Sequence, residues 1–323
     1  MKYRQLGKTG ISVSEIGFGA WGIGGEMWQG SDDAESMCAL HKAAELGVNF
    51  FDTALAYGQG HSEELVGKLL KEHKDLYVAT KIPPKNKIWP AEKDSKLADV
   101  FPKQYIIDST DTSLKNLKVE RIDVQQLHVW NDTWVKEAEL WETIDQLKSQ
   151  GKIRAFGISI NDNQPWNALE AAKTGKVDTF QVIYNIFEQA PQDELFPYCK
   201  KANIGVIVRV PFDEGGLTGA ITPATVFPPK DWRNRYFEGN RKQLVEERVE
   251  KLKSLFGDEA KSMPELALRF ILSHPAVSTI IPGMRKPHHA EANTEVSDGR
   301  NLSLALLTKL QGHRWERNFY DNI

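Results

Sequence analysis

The sequence predicts an α/β chain folded as a closed (β/α)8 barrel of the TIM type, and three observations lead there. Short β-branched or aromatic runs alternate with longer amphipathic segments through most of the 323 residues. Eight such runs occur, and eight strand-helix pairs in about 250 to 320 residues suit a closed barrel better than an open sheet. No low-complexity linker divides the chain, so residues 1–323 are expected to form a single barrel domain.

The expected strands cover residues 15–21, 48–53, 76–81, 122–128, 153–159, 179–184, 205–210 and 277–281. Between them apolar residues recur at spacings of three and four, as in Leu140, Ile144 and Leu147, or in Leu266, Leu268, Phe270 and Ile271. Residues 33–47 read as the first such helix, Ser62 with Glu64 and Leu65 as the start of the next, and Gly151 as a stop. Three segments fall outside the repeat. Residues 1–14 read as a hairpin across Gly7 and Gly10 that closes the barrel bottom. The polar and aromatic stretch 212–261 is a long loop insertion after strand 7, placed to fold over a ligand, and 301–323 is a tail.

A net charge of -3 with intermixed signs offers no broad basic field, so neither a nucleic acid nor an anionic membrane is expected as partner. Small molecules are. The two cysteines, Cys38 and Cys199, lie far apart in helical segments, which fits a reducing compartment. The first residues hold no apolar run of signal-peptide length, and no stretch approaches about 18 consecutive apolar residues. A cytoplasmic protein, monomeric or weakly homo-oligomeric, is the expectation.

Gly17-Phe18-Gly19-Ala20-Trp21-Gly22 is a literal GxGxxG. A dinucleotide fingerprint, however, opens a helix within its glycines and carries an acid about 20 residues on. Here the glycines run on through Gly24, Gly25 and Gly30, and the acid, Asp52, is late. The glycines are better explained as a loop at a strand's carboxyl end.

Four residues carry chemistry. Asp52 and Tyr57 follow the second strand, Lys81 ends the third and His128 ends the fourth, and a barrel gathers such positions on one face. Reducing a carbonyl by hydride creates an alkoxide that must be protonated as it forms. A phenol serves as donor if its pKa, about 10 when free, is pulled towards neutrality by a neighbouring ammonium. In this scheme Tyr57 is the general acid, Lys81 lowers its pKa, Asp52 balances the lysine and His128 orients the carbonyl. Each alone has a plainer reading, as a turn cap, a wet aromatic, a solvated strand end and a core histidine. Polar groups closing three successive apolar strands nonetheless suggest a site.

Phe51-Asp52-Thr53-Ala54 with Tyr57-Gly58, Gly60, Ser62-Glu63 and Leu65, followed by Ala79-Thr80-Lys81 and Leu127-His128, resembles the signatures of the aldo-keto reductase superfamily, most nearly its bacterial-type branch. The resemblance runs from Leu6-Gly7 to about Asn293. It implies the barrel, the roles above, and NADPH as cofactor without a metal. It also implies that Ser159 and Gln181 hold the carboxamide, where a hydroxyl and an amide can pair with donor and acceptor at once. Ile160 stands where the family commonly has Asn, with Asn161 as a substitute one residue on. Pro211 with Gly215-Gly216-Leu217-Thr218-Gly219 resembles the loop over the pyrophosphate, Leu217 and Gly219 included. Arg241 is a partner either for Asp213 and Glu214 in that loop or for a phosphate.

After strand 8 the resemblance implies an adenosine site at Arg285, Lys286, His289 and Asn293, and two cations beside a helix N-terminus suit a 2′-phosphate. Ala292 replaces the family's usual Glu. Adjacent His288 and His289 have poor metal spacing, and no metal is expected. Arg209 stands where the family places a ring against the nicotinamide. It either stacks there, bringing a charge that favours the reduced cofactor, or pairs with Asp213 or Glu214. Trp21, Trp89 and Trp130 follow strands into the barrel mouth as aromatic walls for a carbonyl or sugar-like substrate, Trp21 also touching the cofactor. Trp28, Trp166, Trp232 and Trp315 carry no assignment. A second class remains open, a nucleotide-binding regulatory subunit resembling the β subunits of potassium channels.

Overall fold

Strands buried on both faces read as near-continuous apolar runs, and a parallel barrel needs such strands because helices cover it outside. A computed structural model describes residues 1–25 and 30–316, so Trp28 and the end of the tail lie outside the described residues. The strands are β1 (Tyr3–Gln5), β2 (Ser12–Ser14), β3 (Phe18–Gly19), β4 (Phe50–Asp52), β5 (Tyr77–Ile82), β6 (Ile122–Leu127), β7 (Ile153–Ser159), β8 (Thr179–Ile183), β9 (Gly205–Arg209) and β10 (Thr279–Ile280). From β3 to β10 each pairs in parallel with its neighbour in chain order. The ring closes through parallel bridges between Ile16 and Ile280 and between Gly19 and Gly283. All eight expected barrel strands are present, within a few residues of the expected bounds.

The first barrel strand is shorter than expected because its flanks serve the seam instead of a second full ladder. Gly17 N–H donates to Ile280 O at 2.7 Å and Gly19 N–H to Pro282 O at 3.0 Å. A Cβ at Gly19 would lie 2.5 Å from Ile281 O, so this approach requires glycine. The GxGxxG therefore records barrel closure. It leads into a 3-10 turn, Trp21–Ile23, and not into a helix whose amides face a pyrophosphate.

The hairpin β1–β2 pairs Tyr3 with Ser14 and Gln5 with Ser12. Its connection carries Leu6 and Ile11 inward to pack with Phe50, Ala79, Val124, Ala155 and Ile207, inward residues of five barrel strands. Gly7, at φ 53°, lies so close to Gly205 that no side chain fits. The hairpin is thus a plug under the strand amino ends, as the sequence indicates.

The helices are α1 (Asp33–Glu45), α2 (His61–Glu72), α3 (Leu97–Val100), α4 (Lys103–Leu117), α5 (Ala138–Ser149), α6 (Leu169–Lys173), α7 (Leu195–Ala202), α8 (Arg233–Tyr236), α9 (Arg241–Lys253), α10 (Met263–Leu272), α11 (Pro287–Thr294) and α12 (Leu304–Gln311). Asp32, Ser262 and Ser303 cap α1, α10 and α12 by accepting from the third amide on. Ser62 is not a cap: Gly60, at φ 98°, opens α2, while Ser62 points inward, donating to Ala20 O and accepting from Thr53. The insertion after β9 supplies a 3-10 turn, Asp213–Thr218, with α8 and α9. No helix of the described residues is long and apolar enough to cross a membrane.

Inside β7, a Cβ at Gly157 would lie 2.3 Å from Thr179 Oγ1 and 3.0 Å from Gln126 Cγ. Gly157→Ala is therefore expected to destabilise the barrel by about 1–3 kcal/mol through overpacking, as read by urea unfolding. An unchanged midpoint would mean that the β7–β8 spacing yields freely.

Candidate active site

Asp52 is the last residue of β4 and pairs in register with Ala79 of β5, two residues before Lys81. His128 follows β6, and its N–H donates to Ile82 O at 3.0 Å. Tyr57 stands in the turn between β4 and α2, held by Tyr57 N–H on Ala54 O at 2.9 Å and Ser62 N–H on Tyr57 O at 3.2 Å. The next residue, Gly58, has φ 60° and abuts Gly24 O, so the turn admits no side chain there. These backbone constraints bring four side chains, two from strands β4 and β5 and two from the segments after β4 and β6, to one end of the barrel.

Lys81 Nζ is the hub. It donates to Asp52 Oδ2 at 2.5 Å, to Thr53 O at 2.8 Å and to Tyr57 Oη at 3.3 Å. The ammonium is fully buried and Asp52 nearly so. The His128 ring meets Tyr57 edge-on at 5.7 Å and Trp89 at 4.5 Å. Its Nδ1 is buried without a hydrogen-bond partner.

Burial lowers Lys81, but Asp52 and Tyr57 raise it further, leaving it above the usual lysine value. For Tyr57, burial pushes the phenol up and outweighs the lowering by Lys81, which Asp52 also offsets. The phenol is held above its ordinary value, a correction to the expected pull towards neutrality. Burial, then Lys81 and Arg209, push His128 well below the ordinary imidazole range. Near neutral pH the group comprises a protonated phenol, an ammonium and a neutral imidazole.

Two neighbours of the tetrad have no role assigned from the sequence. Gln126 Nε2 donates to Asp52 Oδ1 at 3.3 Å, and Glu63, fully buried, accepts from Thr80 Oγ1 at 2.5 Å and Asn116 Nδ2 at 2.8 Å. The legible signal for Gln126 is a polar residue two positions from inward-facing Val124.

The cofactor candidates divide. Ser159, at the end of β7, pairs in register with Gln181 within β8, and both are buried. Gln181, however, donates to Asp52 Oδ1 at 2.7 Å, so its amide braces the tetrad. Asn161 does not take over from Ile160: its side chain clasps the backbone of Trp130, accepting from N–H at 3.1 Å and donating to O at 2.9 Å. Arg209 donates to Ile160 O and pairs at 2.5 Å with Asp162, an acid not foreseen beside Asp213 and Glu214. This acid comes from the loop after β7, invisible in sequence proximity. Arg241 is held by Asp213 at 3.3 Å and lies against the Trp315 ring, which makes it a partner of the loop. Pro211 and Leu217 are buried and Gly219 adopts φ 78°.

Arg285 leans against Gly22, where a Cβ would be 2.9 Å from its Cδ. Lys286 Nζ meets Glu35 Oε1 of α1 at 3.2 Å. His289 is half-buried and Asn293 buried on α11. Among the aromatic candidates, the Trp21 ring lies 6.2 Å from that of Tyr57, and Trp89 is 38% exposed. Trp130 is a correction. It is fully buried, its ring packs on Trp134 at 5.7 Å and its indole N–H donates to Asp132, so it is core under the loop and no wall of the mouth.

Beside Arg209, Glu188, Asp213 and Glu214 line one recess with Trp232 and Trp315. Burial, then Asp162 and Asp213, push Glu214 up to about 8 against the opposing Arg209 and Arg233, and burial pushes Glu188 up to about 7. An acid raised by folding keeps a proton that the unfolded chain releases above about 4.3, so each contribution to stability falls as pH rises from there through the folded value. Glu214→Gln is expected to gain about 1–3 kcal/mol over the native chain at pH 8.5 and little at pH 4.5, by urea unfolding at both. Equal differences at the two values would refute the raised carboxyl.

The profile of the Aldo/keto reductase family matches residues 15–313. The chain is 34% identical to the aldo-keto reductase YhdN of Bacillus subtilis over 92% of its own length and 89% of that protein's. It is 30% identical to the NADH-specific methylglyoxal reductase of Escherichia coli over 91% and 92% of the two chains. Among solved structures it resembles the glycerol dehydrogenase AKR11B4 of Gluconobacter oxydans, with TM-score 0.79 and 29% identity, covering 96% and 94% of the chains. The chain belongs to the aldo/keto reductase family and is an oxidoreductase of that nicotinamide-using kind.

Proposed function

We propose that the chain reduces a small aldehyde or ketone to an alcohol with NADPH, Tyr57 acting as general acid. The observation that carries this reading is the Lys81 ammonium joining Asp52 to the Tyr57 hydroxyl at the barrel mouth. When bound, the cofactor supplies hydride. The chain's own residues do the rest. His128, neutral, hydrogen-bonds the carbonyl oxygen and aims it at Tyr57 Oη. Tyr57 delivers its proton to that oxygen as negative charge develops, and Lys81, 3.3 Å away, stabilises the phenolate left behind. Asp52 keeps Lys81 charged and in place, with Gln126 and Gln181 fixing the carboxylate.

The donor set fits a dinucleotide phosphate: Arg285 and Lys286 flank the N-terminus of α11, and Gly22 leaves room for the Arg285 side chain. Ser159 is the carboxamide partner, and Gln181 joins it on leaving Asp52. The Pro211 to Gly219 turn, Leu217 included, covers the pyrophosphate, and His289 and Asn293 take the adenosine. Arg209 presents its flat guanidinium to the nicotinamide with its charge met by Asp162, so it brings little bias between oxidised and reduced cofactor. Trp21 and Trp89 wall the substrate, whose small size accords with the methylglyoxal and glycerol named for two relatives. An intact tetrad favours an enzyme over a regulatory subunit. One exposed and one buried free cysteine accord with the cytoplasm.

Tyr57→Phe should lower kcat by roughly 10²-fold or more towards an aldehyde panel while NADPH affinity, by fluorescence titration, stays nearly unchanged. Near-native turnover would transfer the acid role to another residue. Arg285→Ala should weaken NADPH by about 1.5–3 kcal/mol more than NADH. Glu35, paired with Lys286, competes with a 2′-phosphate, so Glu35→Gln should strengthen NADPH several-fold and leave NADH little changed. Equal effects on both cofactors would move the 2′-phosphate site elsewhere.

A further inference from the structure

His41 lies in the carboxyl-terminal half of α1, Glu72 ends α2, and His73 is the residue that caps it. The two helices pack side by side on the barrel, and this puts three side chains of metal-ligating type on one spot. Their ligand atoms all lie within 4.8 Å of one another. His41 Nε2 is 3.9 Å from Glu72 Oε2, and the two imidazole rings are 6.1 Å apart at 55°. Two imidazoles and a carboxylate are the donor set of zinc sites that keep a fourth position open. We propose that His41, Glu72 and His73 form a binding site for one divalent transition-metal cation of the zinc type.

The geometry needs little adjustment. Tetrahedral coordination at about 2.0–2.1 Å sets ligand atoms about 3.3–3.4 Å apart. His41 and Glu72, with side chains 34% and 59% exposed, can close the remaining distance by rotating in solvent without disturbing the core. Imidazole nitrogen selects zinc, copper or nickel over magnesium and calcium, which demand oxygen ligands. The sequence conceals the site because His41 and His73 stand far apart in the chain, with no short-spaced motif around them.

The site lies away from the tetrad. α1 runs down the barrel to the turn before β4, and His73 stands just before β5, so all three residues sit towards the strand amino ends, opposite the end where Asp52 and Lys81 lie. A cation here is placed on the helix layer, at the other end of the barrel from the tetrad. It ties the end of α2 to α1 and stabilises the folded chain, because an ion that binds the native pair of helices better than the unfolded chain shifts unfolding upwards.

The test uses the full chain, freed of metal with a chelator and followed by thermal unfolding and calorimetric titration with zinc chloride or magnesium chloride. Zinc should bind at one ion per chain and raise Tm by several degrees, with no effect of magnesium. His41→Ala and His73→Ala should each weaken zinc binding at least tenfold, and Glu72→Gln should weaken it less. Cys38→Ser, one turn earlier on α1, should leave it unchanged. Unaltered zinc affinity in the His41→Ala/His73→Ala double variant, or no zinc-dependent shift in the native chain, would overturn the site. So would loss of turnover with chelator alone, which would put the ion in the reaction.

Discussion

Lys81 has no access to water, and a buried ammonium persists only where its charge is met at close range. Asp52 meets it at 2.5 Å, and the two hydrogen bonds to Thr53 O and Tyr57 Oη use the remaining protons. Removing either charge would leave the other stranded in the barrel. Much of the surrounding sequence follows from keeping the pair intact. Gln126 and Gln181 project into the barrel where apolar residues would otherwise stand, and both donate to the free oxygen of Asp52. Glu63 lies one layer out, bonded to the Thr80 hydroxyl beside Lys81.

This arrangement also explains why the site tolerates a phenol above its ordinary pKa. A general acid, the role proposed for Tyr57, must carry its proton until the reacting oxygen demands it, and burial favours the protonated phenol. In the proposed reaction the ammonium acts on the state after transfer: held 3.3 Å from the Tyr57 hydroxyl, it would need no movement to stabilise an anionic oxygen there. The lysine lowers the phenol's resting pKa less than burial raises it.

Close backbone approach is the second constraint. At the seam, Gly17 and Gly19 let β3 lie against the chain around Ile281, and below, Gly7 lets the hairpin press on Gly205. Both contacts serve closure. The seam turns an open sheet into a ring, and the plug seals the end that the loops do not cover. Gly22 and Gly24 continue the first of these into the site, against Arg285 and Tyr57. The same glycine run that imitates a dinucleotide fingerprint is therefore spent on the barrel's own geometry.

The sequence by itself determined the barrel, its eight strands, the hairpin plug and the residues that form the tetrad. Each of these is encoded locally, by apolar periodicity, by turn glycines, or by polar residues interrupting an apolar strand end at a spacing the fold repeats. What only tertiary structure decided were the partners. Arg209 took Asp162 from another loop, Gln181 turned onto Asp52, and Trp130 sank beneath its loop into contact with Trp134. The cluster of His41, Glu72 and His73 belongs with them. Such contacts depend on which strands become neighbours around the ring and on how deep a side chain lies when it gets there, and neither is a function of distance along the chain.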